Sequence, residues 1–312
     1  GGGGGGNTEG YNWYKHRNGG GGGGAGGVLI CKGDNISELQ LEKLQLEKGF
    51  KCDIGFGGSK SDGFKGSAER GNDTTFTSAN KIQAQSLGGG YGAPHDTNDN
   101  GGRGASGGGA TYLKSFSGSG SPGKGKQYDD DDEVFMTPSG GPFNGGRGGY
   151  YNWGGGGGGG AKGHGKSDED DKNKSGKYEA DGIGGAPGPG YNTGCEYVGK
   201  VEDNIYDEIA VGGYGGNNHG SSQYSQYYDW SKPDGPKGKY ASMGSGGCGG
   251  SETKYTHRGR NGGIIFKIPQ SVQVVYKNSK EGKNLAIPYN AIYDTKVSGE
   301  WVYYLFKYSS TY

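Results

Sequence analysis

The chain has 312 residues, of which 77 are glycine, and its 33 basic and 33 acidic residues leave no formal net charge at neutral pH. Hydrophobic residues make up only 28%, with 24 Tyr against 9 Phe, 4 Trp and 2 Met, so a conventional core of Leu, Ile, Val and Phe cannot be large. Zero net charge argues against a general nucleic-acid binder, which needs a basic excess to neutralise phosphates, and no apolar run is long enough for a transmembrane helix.

The first Gly-rich block runs from Gly1 to about Gly27, and Val28-Leu29-Ile30-Cys31 then reads as a short buried strand. From Ile36 to Leu46 the leucines alternate with a break between Leu41 and Leu44, which reads as strands, although the charged residues there also suit a helix. Phe50, Cys52 and Ile54 continue the two-residue alternation. Gly55 to Gly58 ends that unit, and Thr74-Thr75-Phe76-Thr77 predicts another strand.

Further Gly blocks follow at 88–92, 101–104, 107–109 and, most densely, 145–160, where Tyr150, Tyr151 and Trp153 are interspersed. Acidic Asp129 to Glu133 and charged Lys166 to Lys177 read as exposed loops. Glycines resume at 182–190, 212–220, 244–250 and 259–263. GAPGPG at 185–190 approaches a collagen period that the wider chain does not keep. From Ile264 the composition shifts to an ordinary β pattern through Ile268, Val272, Val274, Tyr276, Ala291 to Tyr293 and Trp301 to Tyr308. The expected organisation is a glycine-rich domain, residues 1–263, with inserted charged loops, followed by a C-terminal β segment, residues 264–312.

Glycine loses the most backbone entropy on ordering, so its blocks must either stay disordered or fold in a way that needs no side chains. Monotonous Gly/Ser composition marks a linker, whereas here aromatic and β-branched residues recur between blocks. The expected fold class is therefore mainly β and irregular, with little α-helix: a bundle of Gly-rich polyproline-II helices with short strands. Such a helix has three residues per turn and no internal hydrogen bonds. Without side chains its N–H and C=O groups can bond sideways to adjacent helices, which answers the need of buried backbone groups for partners.

GGGGGGAGGVLI (19–30), DIGFGG (53–58), NDTTF (72–76), LGGGYGA (87–93), GGRGASGGGATYL (101–113), FNGGRGGYYNWGGGGGGG (143–160) and RNGGIIFKIP (260–269) follow one another in an order that resembles the glycine-rich domains of phage and algal-virus fibre or adhesin proteins. The arrangement is also similar to the glycine-rich extracellular module of certain receptor tyrosine kinases. The resemblance covers roughly residues 19–269 and implies Gly-rich polyproline-II bundles beside short strands, used for display, adhesion or ligand binding. It implies a structural, non-enzymatic component of a virion surface, fibre or extracellular filament. The partners implied are copies of the chain or other structural subunits. An adhesin module for a host-surface glycan or receptor is the alternative, and an RGG-type RNA binder the third reading.

Motifs that carry chemistry are few. Gly160 to Ser167 matches the phosphate-loop pattern, but poly-Gly precedes it and DEDDKNKS follows, where a buried strand and a helix are required. The Gly118 to Gly123 match to a dinucleotide fingerprint fails likewise. Arg103, Arg147, Arg258 and Arg260 in Gly surroundings are too few for an RNA-binding segment. Asp129 to Glu133 and Asp168 to Asp171 lack EF-hand spacing. Histidines 16, 95, 164, 219 and 257 form no metal-ligand pair. No cofactor, no nucleic acid and no membrane insertion are expected.

The four cysteines allow two bridges, with 31–52 and 195–248 favoured, or four free thiols: Cys31, Cys52, Cys195 and Cys248. Asn35, Asn72 and Asn173 open glycan-acceptor patterns. Tyr224, Tyr227, Tyr228 and Trp230 form an aromatic cluster that could contact carbohydrate or a partner subunit, or pack over the Gly bundle.

Overall fold

Period-two runs of Thr, Phe, Ile and Tyr form the strands, and the described residues of the Gly-rich blocks run between them without regular helix or strand. The computed structural model describes residues 1–6, 19–30, 49–61, 68–78, 81–94, 101–110, 137–138, 143, 145, 155–166, 185–192, 208–216, 242–250, 256–271, 275–278, 283–286, 292–306 and 310–311. Among these residues there is no α-helix. The ambiguous stretch Ile36 to Leu46 lies outside them.

The strands are β1 (Leu29–Ile30), β2 (Phe50–Asp53), β3 (Thr74–Ser78), β4 (Lys81–Ser86), β5 (Thr137–Pro138), β6 (Tyr191–Asn192), β7 (Glu208–Ile209), β8 (Ile264–Pro269), β9 (Val275–Asn278), β10 (Lys283–Ala286), β11 (Ile292–Ser298), β12 (Trp301–Phe306) and β13 (Ser310–Thr311). They pair antiparallel into a four-stranded sheet ordered β13-β2-β3-β4, a three-stranded sheet ordered β11-β12-β8, and the two-stranded pairs β1-β5, β6-β7 and β9-β10.

Alternation sets the faces. In β3, Thr74, Phe76 and Ser78 are buried while Thr75 and Thr77 are half-buried, as a two-residue period requires. In β2, Cys52 is buried, whereas Lys51 and Asp53 pair at 2.8 Å on the outer side. Strand β4, with the sequence KIQAQS, is not anticipated by hydrophobic pattern. It forms because β3 offers it a ladder, from Thr74 opposite Ser86 to Ser78 opposite Lys81, with a register shift after Phe76.

The side-chain core lies between the two larger sheets. Cys52, Ile54, Phe76, Ala84 and Phe306 are buried together, and Phe50, Ile264, Phe266 and Tyr304 pack against them. Phe50 lies 5.7 Å from Phe76 and 5.4 Å from Phe266, and Phe266 meets Phe306 edge-on at 5.4 Å. Tilted and edge-on ring pairs at such spacing are the favoured aromatic arrangement. Residues 264–306 thus share a core with residues 50–84, and β13 extends the sheet of β2. The composition boundary at residue 264 is crossed by this common packing. No helix of the described residues is long and apolar enough to cross a membrane.

Candidate functional site: the glycine lattice

The backbone amides of the first block fan out in three directions. Gly2 and Gly5 donate to the carbonyls of Asn72 and Glu69, Gly3 and Gly6 to those of Arg260 and His257, and Gly4 to that of Gly24, all at 2.8–2.9 Å. The nitrogen of Gly1 reaches the Gly27 carbonyl at 3.0 Å. Each neighbouring segment is therefore met at every third residue. As the donor number rises by three the acceptor number falls by three, so the neighbours run antiparallel. An α-helical ladder would send each amide four residues back, and a strand would use only its two edges. A three-residue repeat with three lateral directions is neither.

The segment 19–27 shows the arrangement complete. Gly20, Gly23 and Gly26 donate to Gly250, Gly247 and Gly244; Gly21, Gly24 and Gly27 donate to Ala93, Gly90 and Leu87; Gly22 and Ala25 donate to Gly156 and Gly159. Its carbonyls accept from three further directions: Gly20 and Gly23 from Gly216 and Gly213, Gly22 and Ala25 from Gly109 and Ser106, and Gly24 from Gly4. Six segments consequently ring it: 244–250, 87–93, 156–159, 213–216, 106–109 and 1–4. Only 156–159 runs parallel to it. In Gly20, Gly22, Gly23, Gly24 and Ala25 both backbone polar groups are satisfied by other backbone groups, without any side chain, as burial demands.

Space explains why the residue is glycine. A Cβ built on Gly23 would meet the Gly4 carbonyl, one on Gly24 the Ser106 carbonyl, and one on Gly158 the Gly23 carbonyl, all nearer than the 3.0 Å that real Cβ atoms keep. Backbone conformation is not the reason, since among the described glycines only Gly49, Gly244 and Gly299 have positive φ. Ala25 is the exception that fits, because its methyl joins an apolar cluster with Val28, Ala161, Ile209 and Ala210.

Outer segments keep the same period in their side chains. Ala68 and Gly71 are buried while Glu69, Arg70 and Asn72 are exposed, and Gly259 and Gly262 are buried while Arg258 and Asn261 are exposed. Residues three apart share a face, so Arg70 reaches Asp73 at 2.8 Å. The same Asp73 carboxylate accepts from the Gly88 amide at 2.8 Å and from Gln85 at 2.7 Å, anchoring the start of the segment that follows β4.

One titratable pair is enclosed by the lattice. The Cys248 sulfur lies 2.6 Å from His257 Nδ1, and the His257 amide donates to the Cys248 carbonyl at 3.0 Å. Both side chains are buried. Burial, reinforced by the positive charges of Arg260 and Lys60, pushes the imidazole down to about 3, so it is neutral at physiological pH. Burial and the Asp53 carboxylate push the Cys52 thiol up to about 12.

Of the two alternatives for the cysteines, the structure shows Cys52 and Cys248 outside any disulfide: Cys52 packs among Ile54, Phe76 and Phe306, and the Cys248 sulfur faces His257. Cys31 and Cys195, their expected partners, lie outside the described residues, as do Asn35, Asn173, Tyr224, Tyr227, Tyr228 and Trp230. Asn72 lies on the exposed rim of the lattice.

In the phosphate-loop-like stretch four amides already have backbone acceptors: Gly160 donates to Gly163, Ala161 to Ala210, Lys162 to Pro189 and Lys166 to Ala186, and residues 155–159 before it form no strand. Arg103 and Arg258 are exposed, whereas Arg147 and both acidic runs lie outside the described residues. Among the described residues no group of three or more His, Cys, Asp or Glu is placed to hold a metal ion.

Two features escape sequence reading. The Cys248–His257 pair has a nine-residue spacing that matches no ligand motif, so only the lattice brings it together. The other is an exposed ledge on the β8-β12 ladder, where Lys267 lies opposite Tyr303. Its ammonium sits 4.7 Å from the Trp301 ring centre and 5.8 Å from that of Tyr303, within cation–π range. Comparison with protein-family models, with curated proteins and with solved structures finds no match for the chain.

Proposed function

We propose that the chain is a non-enzymatic structural component of a virion surface, fibre or extracellular filament, whose Gly-rich segments are polyproline-II helices packed as a bundle. The observation that carries this reading is the ring of six segments around residues 19–27, reached at every third residue. A three-residue turn without internal hydrogen bonds is the geometry of that helix. The resemblance of the Gly-block order to viral fibre domains supplies the setting. In this reading the lattice is the rigid body, and the residues at its outward third positions are the variable display.

Localisation tests the setting: the chain should be found in purified particles or filaments, and its absence from them would remove the structural role. Amide exchange tests the body. Residues 20–26 should exchange far more slowly than in an unstructured peptide, and peptide-like exchange there would reduce the chain to a tether. The ledge of Lys267, Trp301 and Tyr303 favours a second reading, an adhesin module for a glycan or receptor. Rings held beside a cation on an exposed sheet face suit a ligand with apolar faces and acidic groups. Binding to a glycan array that disappears on Trp301→Ala would select it.

A further inference from the structure

We propose that Asn72 is an N-glycan acceptor site that is open only until the lattice closes around it. The inference rests on the extracellular reading above. Asn72-Asp73-Thr74 has the acceptor pattern, and the Asn72 side chain is exposed on the lattice rim. An attached sugar would therefore leave toward solvent and displace nothing.

The rest of the tripeptide is locked. The Asn72 amide donates to the Phe56 carbonyl at 2.8 Å and its carbonyl accepts from the Gly2 amide at 2.9 Å. The Asp73 carboxylate holds Arg70, Gln85 and the Gly88 amide. Thr74 is 5% exposed, its hydroxyl accepts from the Gly55 amide at 2.9 Å, and its backbone is laddered opposite Ser86. A transferase must reach the Thr hydroxyl as well as the Asn carboxamide, so the folded chain presents the acceptor nitrogen but withholds the recognition element. Modification must precede closure of the segments 55–58, 68–72 and 1–6.

The co-reactant is a polyprenyl-pyrophosphate-linked oligosaccharide. The bond from the anomeric carbon to the pyrophosphate oxygen breaks, and the lipid pyrophosphate leaves with its electron pair. Asn72 Nδ2 forms the new bond to that carbon and gives up one proton.

The experiment has two arms on the full chain. In the first, the chain is secreted from a eukaryotic host with a supplied signal, and its peptides are mapped. A glycan at Asn72, absent in Asn72→Gln, is expected; an unmodified Asn72 overturns the proposal. In the second, folded unglycosylated chain is incubated with the membrane transferase and its lipid-linked donor. Wild type should remain unmodified at Asn72, whereas Gly71→Ala, whose new methyl would collide with the Gly2 carbonyl, should become modified whether it is loosened or unfolded. Equal modification of both would overturn the gating by the lattice. Because the host supplies export, neither arm depends on where the chain naturally resides.

Discussion

The glycine lattice and the two-sheet core lie in one molecule and are held together by opposite means. Between the sheets, cohesion comes from side-chain bulk: Phe50, Phe76, Phe266 and Phe306 fill the space and exclude water. Around residues 19–27 cohesion comes from backbone polar groups brought together because no side chain separates them. The difference teaches that a chain poor in apolar residues still builds a dry interior when its donors and acceptors satisfy one another. It also means that the two regions fail in opposite directions, one when atoms are removed and the other when they are added.

The largest effect should come from adding one methyl to the lattice. Gly24→Ala places a carbon against the Ser106 and Gly107 carbonyls, and because this is backbone of a neighbouring segment, no rotamer change relieves it. A loss above about 4 kcal/mol, in the range that marks a severe single mutation, is expected in a urea titration. A loss under about 1 kcal/mol, that of an ordinary substitution, would contradict the lattice. The mirror experiment is Phe306→Ala, which empties a fully buried position and should remove roughly 3–5 kcal/mol, read by the same titration.

Acid should weaken the lattice through His257. Its folded value, about 3, lies below the ordinary 6.5. The unfolded chain therefore takes up a proton that the folded chain refuses, and stability falls as pH drops from 6.5 toward 3. Above pH 6.5 this residue contributes no pH dependence. The loss should amount to a few kcal/mol at most, and His257→Gln should flatten this part of the profile of unfolding midpoint against pH. An unchanged slope would mean that the imidazole is not enclosed.

The smallest effect sharpens the comparison by separating two uses of glycine. Gly299 turns β11 into β12 with φ near +60° and has open space where a Cβ would go. Gly299→Ala should therefore cost only about 1–2 kcal/mol, the left-handed penalty, measured by thermal melting. Gly24→Ala, by contrast, meets no φ penalty and a full collision. Similar losses for the two substitutions would erase the distinction.

Much of the β-structure is legible in the chain because its alternation is local. Phe50, Cys52 and Ile54, the Thr74 to Thr77 run, and Ile264 to Ile268 announce β2, β3 and β8 by their period. Strand β4 does not, because KIQAQS carries little apolar alternation and depends on the ladder that β3 provides. The sequence leaves bridged and unbridged cysteines open for a related reason: spacing along the chain does not report that one thiol is enclosed by phenylalanines and the other faces an imidazole.

The sequence by itself determined that the interior could not be made of large side chains, and where the stretches without side chains begin and end. Only the tertiary structure decided which stretch lies beside which, that residues 19–27 occupy the centre, and that Cys248 meets His257. The physical reason is degeneracy. One glycine block offers the same amides and carbonyls as another, so hydrogen bonding alone does not choose among partners. The choice falls to the few residues that break the sameness, such as Ala25 and Ala161 in their apolar cluster and Asp73 at the Gly88 amide, whose consequences exist only once the segments are side by side.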